Sequence, residues 1–224
     1  MQTTVPGMIQ RRHFRTILGS QIGHRTDTLF NALFPSALVW HNISVMKVVA
    51  AIICIIITAS LAQVRFFLPD NPVPITLQTF AVLITGGFLG MKWGFVTAIG
   101  YYLVGMAGLP VFQSGQSGWE YVTQGVTGGY LLGFILTTTV VGYLSERGFV
   151  RGQALWAMVI GALILYLPAL IWLSVFDFGW PAEGELLSKA LYPFIPGDLI
   201  KLIFAGLSIG LLWRLIDIRK NSKG

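Results

Sequence analysis

The sequence predicts an all-α membrane protein with six transmembrane helices, from its composition, its long uncharged segments and the placement of its basic residues. Of the 224 residues, 54% are hydrophobic and 11% are charged, and the mean hydropathy is +0.72. Soluble domains carry about 25% charged residues, so this chain has too few polar side chains to cover a surface that faces water. Lipid is therefore the expected solvent for much of the molecule.

Long uncharged segments predict where the chain crosses the membrane. A helix needs about 20 apolar residues to cross a hydrocarbon layer about 30 Å thick. The segments are continuous, whereas the strands of a membrane barrel alternate apolar and polar residues, so helices are expected. The six predicted spans are 47–64, 74–91, 94–110, 127–145, 153–176 and 197–216.

Basic residues concentrate on one side of these six spans. If both termini are cytoplasmic, twelve of the 15 basic residues lie on the inner side: Arg11, Arg12, Arg15, Arg25, Lys47, Lys92, Arg147, Arg151, Arg214, Arg219, Lys220 and Lys223. The basic residues left outside are Arg65, Lys189 and Lys201. The acidic residues on the outer side are Asp70, Glu120, Asp177, Glu183, Glu185 and Asp198. The positive-inside rule therefore predicts an N-in/C-in orientation. The net charge of +6 follows from this arrangement, and no nucleic-acid partner is expected.

Residues 1–45 differ in composition from the rest of the chain. They contain four arginines and one acidic residue, and their apolar stretch Leu29–Trp40 is too short to span and is interrupted by Pro35. Targeting segments share this arginine-rich, acid-poor composition. We expect a poorly ordered N-terminal extension, or a start codon assigned too early with Met46 as the true beginning, and assign the segment no function. Residues 46–220 are the expected six-helix domain.

The motifs of nucleotide binding by a P-loop and of zinc-dependent hydrolysis are missing from the sequence. There is no G-x-x-x-x-G-K-[ST] and no H-E-x-x-H. The three histidines, His13, His24 and His41, precede the first span, and Cys54 is the single cysteine. We therefore expect no enzymatic activity, no cofactor and no metal site. A function in binding a molecule is favoured over a membrane enzyme or a channel.

Two segments at the outer ends of the early spans carry polar residues. In the segment 71–79, Pro74 suits the first turn of a helix, and Thr76 and Gln78 follow at the depth of the outer leaflet. Capping of a helix end is the alternative role for these two polar residues. In the segment 108–118, Gln116 lies between glycines, so the loop either folds back over a cavity or is a simple flexible connection.

Two further segments belong to the later spans. Gly125, Gly129 and Gly133 recur every four residues and predict close helix packing, and Tyr130 beside them is a candidate pocket residue. Asp198 and Lys201 are three residues apart, so on a helix they share a face and can pair. Ionisable residues at membrane depth indicate a functional site by default. A capping carboxylate with a lysine that extends to the interface is the alternative.

Together these segments resemble the BioY family, the substrate-binding S components of biotin transporters of the energy-coupling factor (ECF) type. The resemblance covers about residues 46–220, and its motifs match in order and spacing: Pro74-Ile-Thr-Leu-Gln-Thr-Phe, Gly108-Leu-Pro-Val-Phe, Thr127-Gly-Gly-Tyr-Leu-Leu-Gly-Phe and Pro196-Gly-Asp-Leu-Ile-Lys. It implies a six-helix S-component fold in the plasma membrane, with a biotin pocket near the outer face closed by the loop between the first two spans. It also implies three partner chains, a transmembrane coupling protein and two cytoplasmic ATPase subunits.

The resemblance also implies roles for individual residues. Asp198 and Lys201 are the expected ligand contacts, with the choice between the ureido ring and the valerate of biotin left open for each. Weaker expectations for the pocket wall are Thr76, Gln78, Gln116 and Tyr130, with Tyr166 and Trp172 packing against the bicyclic ring. Ala50, Cys54 and Thr58 form a small-residue stripe expected to contact the coupling protein, with internal packing as the alternative. The alternative hypotheses are an S component for another small vitamin and a stand-alone vitamin transporter.

Overall fold

The computed structural model describes residues 27–34 and 43–222, which form a helical bundle with one short β-hairpin. The helices in these ranges are α1 (Leu29–Leu33), α2 (Ile43–Ala62), α3 (Gln78–Met106), α4 (Trp119–Thr123), α5 (Gly128–Glu146), α6 (Phe149–Gly152), α7 (Ala154–Val175), α8 (Leu186–Ala190) and α9 (Ile195–Asn221). The strands β1 (Arg65–Phe66) and β2 (Ile75–Thr76) pair antiparallel, and single 3₁₀ turns cover Gln113–Gly115 and Tyr192–Phe194.

Five helical segments of the described ranges are long and apolar enough to cross a membrane. They are α2, α3, α5, α7 and the segment Leu186–Asn221, which contains α8 and α9. The predicted all-α membrane architecture is therefore confirmed. The six-span count is not confirmed, because the single helix α3 covers most of both predicted spans 74–91 and 94–110.

Helix α3 reverses its direction at Gly90. The backbone of Gly90 has φ +81° and ψ −176°, a combination available almost only to glycine. A Cβ atom built on Gly94 would lie 3.5 Å from the Cα atom of Gly86, although eight residues of a straight helix rise about 12 Å. The segments 78–89 and 91–106 therefore run back alongside each other near the turn.

Glycines of α5 allow this helix to approach both of its neighbours closely. A Cβ atom on Gly142 would lie 2.4 Å from the carbonyl carbon of Gly90, so α5 packs directly on the reversal in α3. A Cβ atom on Gly133 would lie 2.3 Å from the carbonyl oxygen of Leu165 in α7, and one on Gly129 would collide with Trp172. The close packing predicted for this glycine face is confirmed at Gly129 and Gly133.

The interior contains two apolar clusters, one at each end of the bundle. One includes Tyr101, Phe112 and Phe134, and the other includes Leu83 and Ile209. The outer surface of the bundle is also apolar, for example at Leu163 (68% exposed) and Leu207 (64% exposed). Extended apolar surface of this kind is uncommon on soluble monomers and suits contact with lipid chains.

Part of the N-terminal extension is ordered against the bundle. Residues 1–26 and 35–42, to which the expectation of poor order also applied, lie outside the described residues. In the described segment 27–34, Leu29 is fully buried and the ring of Phe30 packs edge-on against Phe88 at 5.7 Å. These two side chains therefore pack against the bundle. Helix α2 begins at Ile43, before Met46.

Candidate ligand-binding site

A cavity lies between β2, α3, α5, α7 and the start of α9. Small-molecule sites typically have mostly apolar walls and a few well-placed polar groups. This cavity has that character, and its aromatic walls are Phe112, Tyr121, Tyr130, Phe134, Tyr166 and Phe194. The polar groups come from five separate segments of the chain.

The first turn of α9 supplies an acid and a base. Pro196 occupies the first turn of the helix, where no backbone donor is required. Asp198 and Lys201 follow on one helix face, and Asp198 Oδ1 lies 2.6 Å from Lys201 Nζ. The two residues are 5% and 6% exposed and both line the cavity. The predicted pairing is therefore present, and the pair is buried rather than extended to the interface.

Two neighbours orient this pair. The Tyr166 hydroxyl of α7 donates a hydrogen bond to Asp198 Oδ2, and Lys201 Nζ donates to the backbone oxygen of Thr76 at 2.9 Å. Asp198 Oδ1 faces Lys201 as an ion-pair contact and accepts no hydrogen bond of good geometry from a described residue. The carboxylate can therefore still accept hydrogen bonds, and the ammonium, which has three N–H groups, can still donate one.

The β-hairpin places Thr76 over Lys201. Residues 65 and 76 are paired across the hairpin, and Asn71 anchors the intervening loop through a hydrogen bond from Nδ2 to the backbone oxygen of Lys189 at 3.0 Å. The Thr76 hydroxyl donates to Gln78 Oε1 at 3.0 Å, and Gln78 Nε2 lies 2.6 Å from the hydroxyl of Tyr101. These polar groups therefore form one connected wall of the cavity.

The loop after α3 forms a further part of the wall. Phe112 is 1% exposed and fits against Gly105, where a Cβ atom would lie 2.1 Å from its ring. Gln63 bridges the turn that follows, because Nε2 donates to Phe112 O at 2.9 Å and Oε1 accepts from Gly115 N at 3.2 Å. Gln113 lines the cavity and donates to the hydroxyl of Tyr121 at 3.0 Å.

Comparison with known proteins agrees with this geometry. The family model described as "BioY family" matches residues 35–218, which is most of the chain. The chain belongs to the BioY family. Its long apolar helices and transporter relatives make it a multi-pass membrane protein.

Relatives of this BioY chain are named as biotin transporters. The biotin transporter BioY of Thermotoga maritima is 35% identical over 153 residues, which cover 68% of this chain and 88% of the relative. The biotin transporter BioY of Rhizobium etli is 34% identical over 148 residues, which cover 61% of this chain and 75% of the relative. A solved structure described as the S-component for biotin from an ECF-type ABC transporter matches with a TM-score of 0.66 at 27% identity, covering 78% of this chain and 93% of that one.

Most of the residues expected to line the BioY pocket meet around the cavity. These are Thr76, Gln78, Tyr130, Tyr166, Asp198 and Lys201. Gln116 does not reach the cavity: its side chain is exposed, and Gln113 takes the corresponding position in the wall. Trp172 is also outside the lining, because its indole N–H donates to the backbone oxygen of Gly125 at 3.1 Å and its ring covers the glycine face of α5.

The small-residue stripe of α2 faces the protein's own bundle. Ala50 and Cys54 are half-buried, and Thr58 is 4% exposed, with its hydroxyl donating to the backbone oxygen of Cys54 at 2.8 Å. The burial of Thr58 favours internal packing, the alternative given for this stripe, and the contact with a coupling protein stays a prediction. The opposite face of α2 is exposed, as at Ile56 (57% exposed).

Sequence reasoning missed several cavity residues. The aromatic walls Phe112, Tyr121, Phe134 and Phe194 carry no signal of their own, because the chain has 15 phenylalanines and most span residues are apolar. Thr127 had a stronger signal, since it opens the quoted segment Thr127-Gly-Gly-Tyr at the start of a span. Its side chain is 8% exposed and lines the cavity.

Proposed function

We propose that this protein is the membrane-embedded, biotin-binding S component of an ECF-type transporter and serves biotin uptake at the plasma membrane. The observation that carries the proposal is the buried Asp198–Lys201 pair on a small-molecule cavity in a chain of the BioY family. The relatives support biotin as the ligand, because they are named as biotin transporters. The chain's task in this scheme is binding rather than catalysis.

The chemistry of the cavity is complementary to biotin. The ureido ring of biotin presents N–H donors and a carbonyl acceptor, and the pair presents a carboxylate oxygen and a spare ammonium N–H. The bicyclic ring and the alkyl chain of biotin are apolar, and the aromatic walls offer surface to bury them. Tyr130 and Tyr166 stand edge-to-face with ring centroids 6.3 Å apart, which forms a rigid side to this surface.

The proposed assembly contains a transmembrane coupling protein and two cytoplasmic ATPase subunits. The solved structure described as an S-component from an ECF-type ABC transporter supports this assignment. Hydrolysis of ATP then occurs in other chains, consistent with a sequence that has no P-loop. Ala50 and Cys54, half-buried on α2, are the proposed contacts for the coupling protein, together with the exposed face of the same helix.

The proposed topology has six spans with both termini in the cytoplasm. The reversal at Gly90 supports it, because this turn lets α3 supply two antiparallel passes. The positive-inside rule supports the orientation, since Lys92, Arg147 and Arg151 lie in the loops assigned to the inner side.

Titration of the purified chain with labelled biotin in detergent tests the proposed function. We expect saturable binding by the chain alone, and competition by unlabelled biotin at lower concentrations than by any other small vitamin in a panel. Asp198→Asn should abolish most of the binding, whereas the matched control Glu183→Gln, at an exposed carboxylate, should bind like the wild type. Displacement by another vitamin at a lower concentration than biotin would assign the S component to that vitamin instead.

A further inference from the structure

A second cavity lies at the end of the bundle opposite the candidate ligand-binding site. Its volume is about 390 Å³, and small-molecule sites typically enclose about 300–1,000 Å³. It is surrounded by the segment 27–34, the start of α2, the turn in α3 and the end of α5. The charged residues that line it are Asp27, Lys47, Lys92 and Glu146, and none of them lines the candidate ligand-binding site.

Lys47 and Lys92 reach this second cavity from neighbouring helices. Helix α2 and the segment 91–106 of α3 both run towards the candidate ligand-binding site, and a Cβ atom on Gly100 would lie 3.2 Å from Ile55 Cδ1. Each lysine precedes this contact by eight residues, which is about 12 Å of helix. The two lysines therefore lie at the same depth of the bundle, and both line the cavity.

The two ammonium groups are not paired with carboxylates. Neither Lys47 nor Lys92 forms an ion pair with a residue in the described ranges, and Lys47 Nζ lies 6.0 Å from the centre of the Phe30 ring. The buried carboxylate of Glu146 instead accepts a hydrogen bond from Met91 N. Each ammonium group has three N–H donors, and charge-assisted hydrogen bonds to phosphate oxygens are among the strong ones in proteins. Two such groups at one cavity favour a phosphate group as the ligand.

The surroundings of the second cavity favour a phosphate carried by a lipid over free phosphate. One turn after Lys92, on the same face of α3, Phe95 and Val96 are apolar and exposed, which suits contact with acyl chains. Trp93 lines the cavity beside them, and tryptophan is enriched where a membrane meets water. A molecule with a charged head and apolar chains matches both surfaces.

We propose that the second cavity binds a phospholipid, with its phosphate group between Lys47 and Lys92 and its acyl chains along Phe95 and Val96. Asp27 and Glu146 balance the two lysines in formal charge, so a zwitterionic headgroup such as phosphoethanolamine fits the cavity. The segment 27–34, α2 and α3 all contribute to this site, and the bound lipid therefore connects the N-terminal segment to the bundle.

Binding of phosphatidylethanolamine to the purified chain, measured by native mass spectrometry, tests the proposal. Lys47→Gln with Lys92→Gln removes both ammonium groups, and we expect it to weaken lipid binding by roughly tenfold or more, because hydrogen bonds to charged groups are strong. Lys47→Arg with Lys92→Arg keeps both charges and should bind nearly like the wild type. The matched control Arg219→Gln with Lys220→Gln removes two exposed charges at the same end of the bundle but outside the cavity, so its lipid binding should be unchanged.

Two further ligands show which part of the lipid is recognised. Diacylglycerol with the same acyl chains has no phosphate, so it should bind to the wild type and to Lys47→Gln with Lys92→Gln alike. Inorganic phosphate should not displace the lipid at comparable concentrations, and displacement there would overturn the proposal and assign the cavity to free phosphate.

The comparison between variants decides whether the cavity itself binds the lipid. Equal losses in the lysine variant and in the matched control would show a general effect of surface charge and overturn the proposal, as would no loss in either. An unchanged thermal unfolding temperature should show that Lys47→Gln with Lys92→Gln is folded, since neither lysine is buried. A loss of lipid binding restored by Lys47→Arg with Lys92→Arg would support the proposal independently of that measurement.

Discussion

At the scale of single residues, the site depends on a buried ion pair, and burial of either charge without its partner would cost free energy. Asp198 and Lys201 are almost completely shielded and rely on each other, on Tyr166 and on the backbone of Thr76. Desolvation of a charge is offset only by such partners, so removal of one member leaves the other uncompensated. The observed burial therefore couples ligand binding to the stability of the bundle.

Single and double substitutions in the pair should therefore distinguish its effect on ligand binding from its effect on the stability of the fold. Asp198→Asn and Lys201→Ala should each reduce biotin affinity and also lower the stability of the bundle, by up to about 3–5 kcal/mol, since each leaves one buried charge unpaired. The double variant Asp198→Asn with Lys201→Met has no buried charge, so its thermal unfolding temperature in detergent should recover while biotin binding stays lost. A double variant as unstable as the single variants would show that the pair contributes packing rather than mutual compensation.

The charged residues of the site could be predicted from the sequence, and most of its walls could not. Asp198 and Lys201 stand out because an ionisable residue within an apolar segment is rare and expensive. Phe112 and Phe194 do not stand out, because a phenylalanine beside a span can face lipid, the protein core or a cavity. Gln116 and Gln113 lie in one loop, and the choice between them depends on the backbone turn at Ser114 (φ +56°), which is not evident from composition.

At the scale of elements, the loop 108–118 is attached to the end of α2 through one side chain. Gln63 contacts both ends of the turn that begins at Phe112, so it positions an aromatic wall of the cavity without touching the cavity itself. A wall that is organised before the ligand arrives lowers the ordering cost of binding. Loss of the hydrogen bonds made by Gln63 is expected to change mainly the rate of ligand release.

Gln63→Ala should accelerate biotin release by about threefold to tenfold, the equivalent of one or two modest hydrogen bonds, with little change in thermal stability because Gln63 is exposed. Dissociation of labelled biotin after addition of excess unlabelled ligand measures this rate. Gln116→Ala is the matched control: its side chain is exposed on the same loop and hydrogen-bonds to no described residue, so release should be unchanged. An effect of the same size in both variants would contradict a specific role for Gln63.

The reversal in α3 was partly visible in the sequence. Lys92 interrupts the apolar pattern, so the gap between two predicted spans falls at residues 92–93. This gap is two residues from the observed turn at Gly90. The exact position of the turn depends on the backbone conformation of Gly90 rather than on polarity. A Cβ atom on Gly90 would lie 2.7 Å from Glu146 Oε1 and 2.5 Å from Thr28 Cγ2. Glu146 Oε1 also accepts a hydrogen bond from Met91 N at 3.1 Å, which ties the turn to the end of α5.

Gly90→Ala should destabilise the bundle, since it adds about 1–3 kcal/mol of backbone strain and a similar cost of overpacking. Thermal unfolding in detergent, or the yield of monodisperse protein, measures the loss. Gly210→Ala is the matched control within α9: a Cβ atom there would make an ordinary contact at 3.9 Å with Ala154 Cβ, so stability should be unchanged or slightly improved. Comparable stability of the two variants would mean that the turn can relax around a side chain.

At the scale of the whole molecule, polar chemistry is divided between the two ends of the bundle. The cavity, the β-hairpin and the loop 108–118 lie at the end where α9 begins. The opposite end contains the reversal at Gly90, the C-terminus of α5 and the ion pair between Arg151 and Asp217. Basic residues gather at this second end, which supports the proposal that it is the cytoplasmic side and that the cavity lies at the outer side.

Single-cysteine labelling tests this arrangement and the number of spans together. In a Cys54→Ser background, we expect a membrane-impermeant maleimide to label Ser114→Cys in intact cells, because Ser114 is exposed in the loop beside the cavity. Lys92→Cys and Ser222→Cys should be labelled only after permeabilisation, since the reversal at Gly90 places Lys92 at the side where α9 ends. The decisive position is Lys92: if α3 crossed the bilayer once, a cysteine there would lie within lipid and resist labelling from both sides. Labelling of Lys92→Cys in intact cells would reverse the proposed orientation, whereas protection under both conditions would reduce the bundle to five spans.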